Sequence, residues 1–215
     1  MERKFYSLSA IIVLILCIFT QKSMAQDNSS IQLPAPDRIG GKALMACLDQ
    51  RKSSREFSSK EVSLQELSNL LWAANGINRE KDGKHTAPTA MNRQNMEVYV
   101  MLPDGIYLYD DKGNSIQLVQ SGNHMKSAGT QDFVAKSTLN LLIVSDMDKL
   151  GDGSMEKKLV YAGVHAGAIM QNIYLYCASA GLNTVVRASF NQQELAALLK
   201  LPENKQIILA QTVGY

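Results

Sequence analysis

The stretch LVYAGVHAGAIMQNIYLYCASAGLNTVV, residues 159–186, runs for 28 positions without an Asp, Glu, Lys or Arg. Its first two thirds read as one long helix ending at Gly181, because a glycine permits the left-handed turn that stops a helix. Such a run could be taken for a membrane span. Against that, His165, Gln171, Asn172, Tyr174 and Tyr176 are spread around the helix instead of gathering at one end. A helix buried at the centre of a globular domain fits better. Gly163 and Gly167, with Ala162, Ala166 and Ala168, remove bulk along one stripe and would admit a second helix at close range, in the domain core or at a subunit interface.

Before this helix, Leu139 to Val144 is a continuous apolar strand whose composition predicts burial on both faces. Met96 to Leu102 and Gly105 to Tyr109 read as strands, and Asp110 to Asn114 supplies a turn into Ile116 to Val119, which makes a meander. Gln206 to Val213 is a last strand. Two helices precede the meander: Ala43, Leu44, Cys47 and Leu48 recur at helical spacing, and Ser63 opens a Ser-x-x-Glu capping box with Glu66. Leu67, Leu70, Leu71 and Ala74 give the second helix its apolar face, and Gly76 ends it.

At the N-terminus, Arg3 and Lys4 precede ten apolar residues from Ala10 to Phe19, followed by Ser23-Met24-Ala25. This predicts a signal peptide, residues 1–25, since crossing a bilayer takes about 20 residues. The expectation is an exported protein, periplasmic or secreted, with no stable membrane insertion once the signal is removed. Residues 26–39 read as an extended polar arm, and residues 40–215 as one domain. Removal of residues 1–25 turns 22 basic and 20 acidic residues into 19 of each. A neutral chain with scattered signs argues against a nucleic-acid groove, which needs clustered positive charge. Cys47 and Cys177 remain, too few for a disulfide framework, and are read as buried thiols.

Three clusters carry candidate chemistry. Arg51-Lys52-Ser53-Ser54-Arg55 could be an ordinary solvated helix end. Yet its spacing gathers a hydroxyl and two guanidinium forks around a small anion, and a phosphomonoester carries close to two negative charges. Pro88-Thr89-Ala90-Met91-Asn92-Arg93-Gln94 could be a plain turn, or four hydrogen-bonding side chains meeting the polar edge of a heterocycle. Gly181 to Arg187 offers a backbone edge. Other chemistries lose ground: the loop after Asp146 has Leu150 and Lys157 where a calcium loop needs ligands, and the three histidines lack metal-ligand spacing. No Gly-x-Ser-x-Gly or Gly-x-Gly-x-x-Gly is present. No metal is expected.

Taken in order, several blocks make the chain resemble the nitroreductase-like FMN oxidoreductases, most closely the SagB-type dehydrogenase branch. They are Leu33-Pro34-x-Pro36, Arg51 to Phe57, Glu66 to Gly76, Pro88-Thr89-Ala90, Gly105-Ile106-Tyr107-x-Tyr109, Ala162-Gly163, Gln171-Asn172-x-Tyr174-Leu175, Gly181-Leu182 and Val213-Gly214. The resemblance runs from Leu33 to Tyr215. It implies an α+β fold, with a mixed, mostly antiparallel sheet wrapped by helices, and a homodimer with FMN at the subunit interface. By the same resemblance Arg51, Lys52 and Ser53 would hold the phosphate, and Arg55 would lie near the pyrimidine ring. Thr89, Ala90 and Asn92 would reach the flavin from the partner subunit. Gln131 would contact the ring edge, and Val186, Ala188 and Ser189 would line its face through their backbone. The implied activity is hydride transfer through flavin N5 to or from a small organic molecule, either a nitroaromatic or quinone-like acceptor or in the dehydrogenase direction. No protein acid, base or nucleophile stands out. The alternative is a flavin-binding or scavenging protein without turnover.

Overall fold

A computed structural model describes residues 30–215. The signal-peptide reading and the first residues of the arm lie outside the described residues. Seven strands form one sheet in the order β1-β6-β5-β4-β7-β9-β8: β1 (Ser30–Gln32), β4 (Met96–Leu102), β5 (Gly105–Asp110), β6 (Ser115–Ser121), β7 (Leu139–Asp146), β8 (Asn183–Arg187) and β9 (Lys205–Gly214). A small hairpin, β2 (Ile77–Arg79) and β3 (Lys84–His85), stands apart. Each ladder of the main sheet is antiparallel, so the mixed pairing allowed for above does not occur among the described residues.

The double burial of β7 follows from its place between β4 and β9. Successive side chains on a strand point to opposite faces. Accordingly Leu141 and Ile143 join Val98 and Val100 on one face, while Leu142 and Val144 join Tyr99 and Met101 on the other. The first face is covered by α2 (Leu64–Asn75) and α3 (Met155–Ala180), through Leu67, Leu70, Leu71, Ile169, Ile173 and Cys177. The second is covered by α4 (Gln192–Leu198), through Leu195, and by short 3-10 turns that bring in Met125 and Val134. Remaining outside these layers, α1 (Leu44–Gln50) packs along α3.

The central helix ends at Gly181 as read, with φ 72° at the glycine. It begins at Met155, four residues before the charge-free run, because Ser154 caps it by accepting the Lys157 amide, 3.3 Å away. Apolar periodicity does not register a first turn of Glu156, Lys157 and Lys158. No helix among the described residues is long and apolar enough to cross a membrane. Cys47 and Cys177 are both buried and unbridged, and burial pushes the Cys177 thiol well above its ordinary value.

The arm contributes to the sheet. Ile31 pairs with Ile116 across β1 and β6, and Leu33 enters the core. Ser68 Oγ and Asn114 Nδ2 both donate to the Pro34 carbonyl, at 2.6 and 2.8 Å, which fixes where the arm leaves the sheet. Sequence periodicity missed β1, the β2–β3 hairpin and α4, since each is too short to show a repeat.

The capping box on α2 is complete. Ser63 Oγ accepts the Glu66 amide at 3.2 Å, and Glu66 Oε2 accepts the Ser63 amide at 2.8 Å. Tyr215 donates its hydroxyl to the other oxygen of Glu66, so the last residue of β9's extension is tied to the start of α2. Burial pushes the Glu66 carboxyl up, but the hydrogen bonds from Tyr215 and Ser63 outweigh it and leave the group below the ordinary glutamate value. A lowered carboxyl contributes stability that is fully present above the unfolded-state value and is lost as pH falls through the folded one. We expect Ser63→Ala to lower stability by about 1 kcal/mol in urea unfolding at neutral pH, and Glu66→Gln to flatten the decline in stability below about pH 4.5.

Candidate functional site

Arg51 follows α1 with φ −57° and ψ 120°, already out of helical geometry, and its amide closes the helix on the Cys47 carbonyl at 2.9 Å. From there the chain runs extended beside β8, the outermost strand at that end of the sheet. The Ser54 amide donates to the Thr184 carbonyl at 2.9 Å, and Asn183 Nδ2 donates to the Glu56 carbonyl at 2.9 Å. An exposed strand edge carries a row of unpaired backbone groups. Here the basic segment takes some of them, so the first and third clusters of the sequence become neighbours.

Tyr174 on α3 completes the junction. Its hydroxyl accepts the Val186 amide at 3.0 Å and lies 2.7 Å from Ser53 Oγ. The Arg51 guanidinium carbon sits 5.2 Å from the centre of the same ring, a cation–π contact. Tyr174 is buried, with its hydroxyl hydrogen-bonded, which suits an aromatic with an apolar body and a polar tip. Sequence reasoning quoted Tyr174 as part of a motif and gave it no role; a tyrosine within a charge-free helix was the available signal.

The cationic side chains of the basic segment have no protein acceptor among the described residues. Among the described residues, Arg51, Lys52 and Arg55 form no ion pair with a carboxylate, and their side chains donate to no protein acceptor. Lys52 and Arg55 are exposed, as is Ser53. Three cations and a hydroxyl within five residues, left without a protein anion, suit a phosphate group. A cavity of about 420 Å³ opens beside them, lined by Lys42, Gln50, Lys52, Tyr174, Leu182 and Asn183.

Along the β8 edge the outward backbone groups recur every second residue. The Thr184 carbonyl is taken by the Ser54 amide and the Val186 amide by the Tyr174 hydroxyl. Val186 therefore has no free amide to offer a ligand. The next outward position is Ala188, exposed and without a backbone partner among the described residues. Ser189 is joined to Gln131 by the Gln131 Nε2 to Ser189 Oγ hydrogen bond, and its carbonyl accepts the Thr130 amide at 3.3 Å. Gln131 Oε1 is enclosed without a donor.

Arg187 takes no part in the exposed donor set. Its guanidinium turns into the fold and donates to Thr212 Oγ1 at 3.0 Å, the Ala128 carbonyl at 2.7 Å and Asn140 Oδ1 at 2.8 Å. Burial lowers its value to about 10, which leaves it charged at neutral pH. The contact to Ala128 pins the loop bearing Gln131 against the sheet. Gly129 has to be glycine for reasons of space, since a Cβ there would lie 2.0 Å from Arg187 Nη1.

The turn bearing Thr89, Ala90 and Asn92 lies elsewhere. Met91, Asn92 and Gln94 all have left-handed backbone, with φ of 52°, 53° and 46°. Side chains hold it in place: Thr89 Oγ1 accepts the Gln94 amide at 3.0 Å, and Arg93 Nη1 donates to the Lys149 carbonyl at 3.1 Å. His165 Nε2 accepts the Ala90 amide at 2.8 Å, and its Nδ1 faces Asn95 Oδ1 at 2.8 Å. Sequence reasoning missed His165 and Asn95. His165 and Tyr174 are nine residues apart on α3, half a revolution around the helix and about 13 Å along it. One protomer therefore brings together Arg51 to Arg55, Gln131 and Val186 to Ser189, and keeps Thr89, Ala90 and Asn92 apart from them.

Comparison with known proteins agrees with this architecture. A protein of Methanocaldococcus jannaschii named as a nitroreductase is 30% identical over 193 residues, covering 85% of this chain and 96% of its own. A crystal structure of a nitroreductase from Ralstonia eutropha superposes with a TM-score of 0.82 at 40% identity, covering 86% of this chain and 89% of its own. A chain of the E. coli microcin synthetase McbBCD complex with truncated pro-MccB17 bound shares the fold, with a TM-score of 0.65 at 15% identity, covering 100% of this chain and 84% of its own. The family model named Nitroreductase matches residues 48–215, and the chain belongs to that family of oxidoreductases.

Proposed function

We propose that this chain is an FMN-dependent oxidoreductase working as a homodimer, with the flavin at the subunit interface. The observation that carries the reading is the unpaired cationic segment Arg51 to Arg55 laid along the β8 edge, because a phosphate tail and a flat ring need charge at one end and a backbone edge at the other. Arg51, Lys52 and Ser53 would hold the phosphate. Arg55 would face the pyrimidine end, where a cation favours the electron-rich form. Ala188 would present its backbone to the ring, and Gln131 and Ser189 would bound it. FMN, when bound, supplies hydride transfer at N5. The protein's task is to orient the ring and leave one face open to a small substrate.

The dimer reading rests on α3. Its N-terminal half leaves Val160 and Val164 63% and 64% exposed, and Met45 on α1 is 75% exposed. Gly163 and Gly167 have open space where a Cβ would stand. An exposed apolar patch with a small-residue stripe suits a second helix at close range. In such a dimer Thr89, Ala90 and Asn92 of the partner subunit would reach the flavin, which explains why one protomer keeps that turn away from the basic segment. We assign the chain to the SagB-type branch on its sequence blocks. Small nitroaromatic or quinone-like acceptors are the substrate class, with dehydrogenation as the other direction. The N-terminal charge and apolar pattern supports export, and hence an electron donor available outside the cytoplasm.

Four outcomes test the reading. The purified protein should run as a dimer and show flavin absorbance in the visible; a colourless protein that takes up no added FMN would sink it. Arg51→Ala and Arg55→Ala should each weaken FMN binding roughly 10- to 150-fold, from about 1.5–3 kcal/mol per charged hydrogen bond, in a fluorescence titration of the apoprotein. Tyr174→Phe, which removes an uncharged bridge, should cost less, about 2- to 13-fold. Anaerobic stopped-flow with a donor and acceptor panel then separates turnover from binding alone: reduction by no donor favours a flavin-binding protein.

A further inference from the structure

His165 stands outside the cofactor contacts, yet both of its ring nitrogens are committed. It is only 2% exposed. Nε2 accepts the Ala90 amide at 2.8 Å, which places the imidazole proton on Nδ1, donating to Asn95 Oδ1. Asn95 is itself buried, and its Nδ2 donates to Ser145 Oγ on β7 at 2.8 Å. A chain of hydrogen bonds thus runs from the middle of the sheet through α3 to a single backbone amide. That amide belongs to a turn with three non-glycine residues in left-handed conformation, which persists only where its surroundings hold it.

We propose that neutral His165 is the positioning residue for the Thr89–Gln94 turn, so that protonating it releases the turn and weakens flavin binding. The proposal rests on the reading that this turn borders the flavin of the partner subunit. A second proton would sit on Nε2 and point a donor at the Ala90 amide, which is also a donor. Among the described residues no carboxylate forms an ion pair with His165. On α3 the neighbouring titratable group is Tyr161, whose ring centre is 6.2 Å away. On the turn, Arg93 is directed at the Lys149 carbonyl, and Lys149 Nζ at the Gln94 carbonyl, 3.3 Å off. At the end of β7, Asp146 Oδ1 accepts from Asn204. Burial holds the imidazole below its ordinary value. A lowered histidine contributes stability above the unfolded-state value, about 6.5, that is lost as pH falls through the folded one.

The test compares the full-length wild type with His165→Gln, which keeps a neutral acceptor at similar reach, and His165→Leu, which has none. Two readouts are taken from about pH 7.5 downward through the histidine range: amide hydrogen exchange at Ala90 in the apoprotein, and FMN affinity as a ratio to wild type, in which the titration of the FMN phosphate itself cancels. On acidification the wild type should lose Ala90 protection, and its FMN affinity should fall relative to that of H165Q. H165Q should keep both with a flatter profile, and H165L should bind FMN roughly five-fold more weakly even at pH 7.5. An H165Q profile that tracks the wild type overturns the proposal, as does Ala90 protection, taken against the intrinsic exchange rate at each pH, that stays unchanged in the wild type, a measurement that needs no variant. Ala90 protection that falls while FMN affinity holds supports the positioning role and overturns instead the placement of this turn against the flavin.

Discussion

The hydroxyl of Tyr174 holds the site together. One phenolic oxygen lies within hydrogen-bonding distance of Ser53, 121 positions away in the chain, and of the Val186 amide on the outermost strand. Together with the Ser54 amide on the Thr184 carbonyl and Asn183 on the Glu56 carbonyl, that contact keeps the basic segment from being a loop that points its charges into water. Held so, the same residues lie along a strand edge at a fixed height above α3. The cost of ordering them is met mainly by the burial of the aromatic ring, and the hydrogen bonds decide the register.

The long helix serves two sites on opposite sides. Its C-terminal half presents Tyr174 to the cationic segment, and its N-terminal half presents His165 to the Ala90 turn. Between them, its buried side rests on β4 and β7 through Ile169 and Ile173. A continuous helix is stiff over this distance, so the separation of the two polar clusters is set by the helical rise. That stiffness is compatible with a flavin shared between copies, each copy offering one cluster to a different molecule of cofactor. The exposed apolar N-terminal half of the helix is the surface proposed above for such a pair.

Among the described residues the buried polar side chains are paired with few exceptions, and the pairing separates charge spent inside the fold from charge left without a protein acceptor. Arg187 carries its charge inward and spends all three of its nitrogens on Thr212, Ala128 and Asn140. Arg51 and Arg55 keep theirs unspent. Type and proximity in sequence would have grouped these arginines, since Arg187 stands one residue from Val186 and Ala188 on the candidate edge. Their partners divide them: a guanidinium already saturated by protein acceptors is a strut, whereas one without a protein acceptor has binding capacity left over.

Much of the fold was legible in the residues themselves. The α2 capping box, the Gly181 stop, the meander from Met96 to Val119 and the doubly buried β7 each depend on interactions within a few residues or on a hydrophobic period, and both are written locally. The cationic segment and the polar turn were visible as clusters for the same reason. What the tertiary structure alone decided was which of these meet. It laid the basic segment on β8, took the Val186 amide out of use, turned Arg187 inward and gave the buried His165 a backbone amide to hold. Those outcomes depend on contacts between segments far apart in the chain, where the choice of partner is made by packing and by the need to satisfy every buried donor, and neither requirement leaves a periodic trace in the sequence.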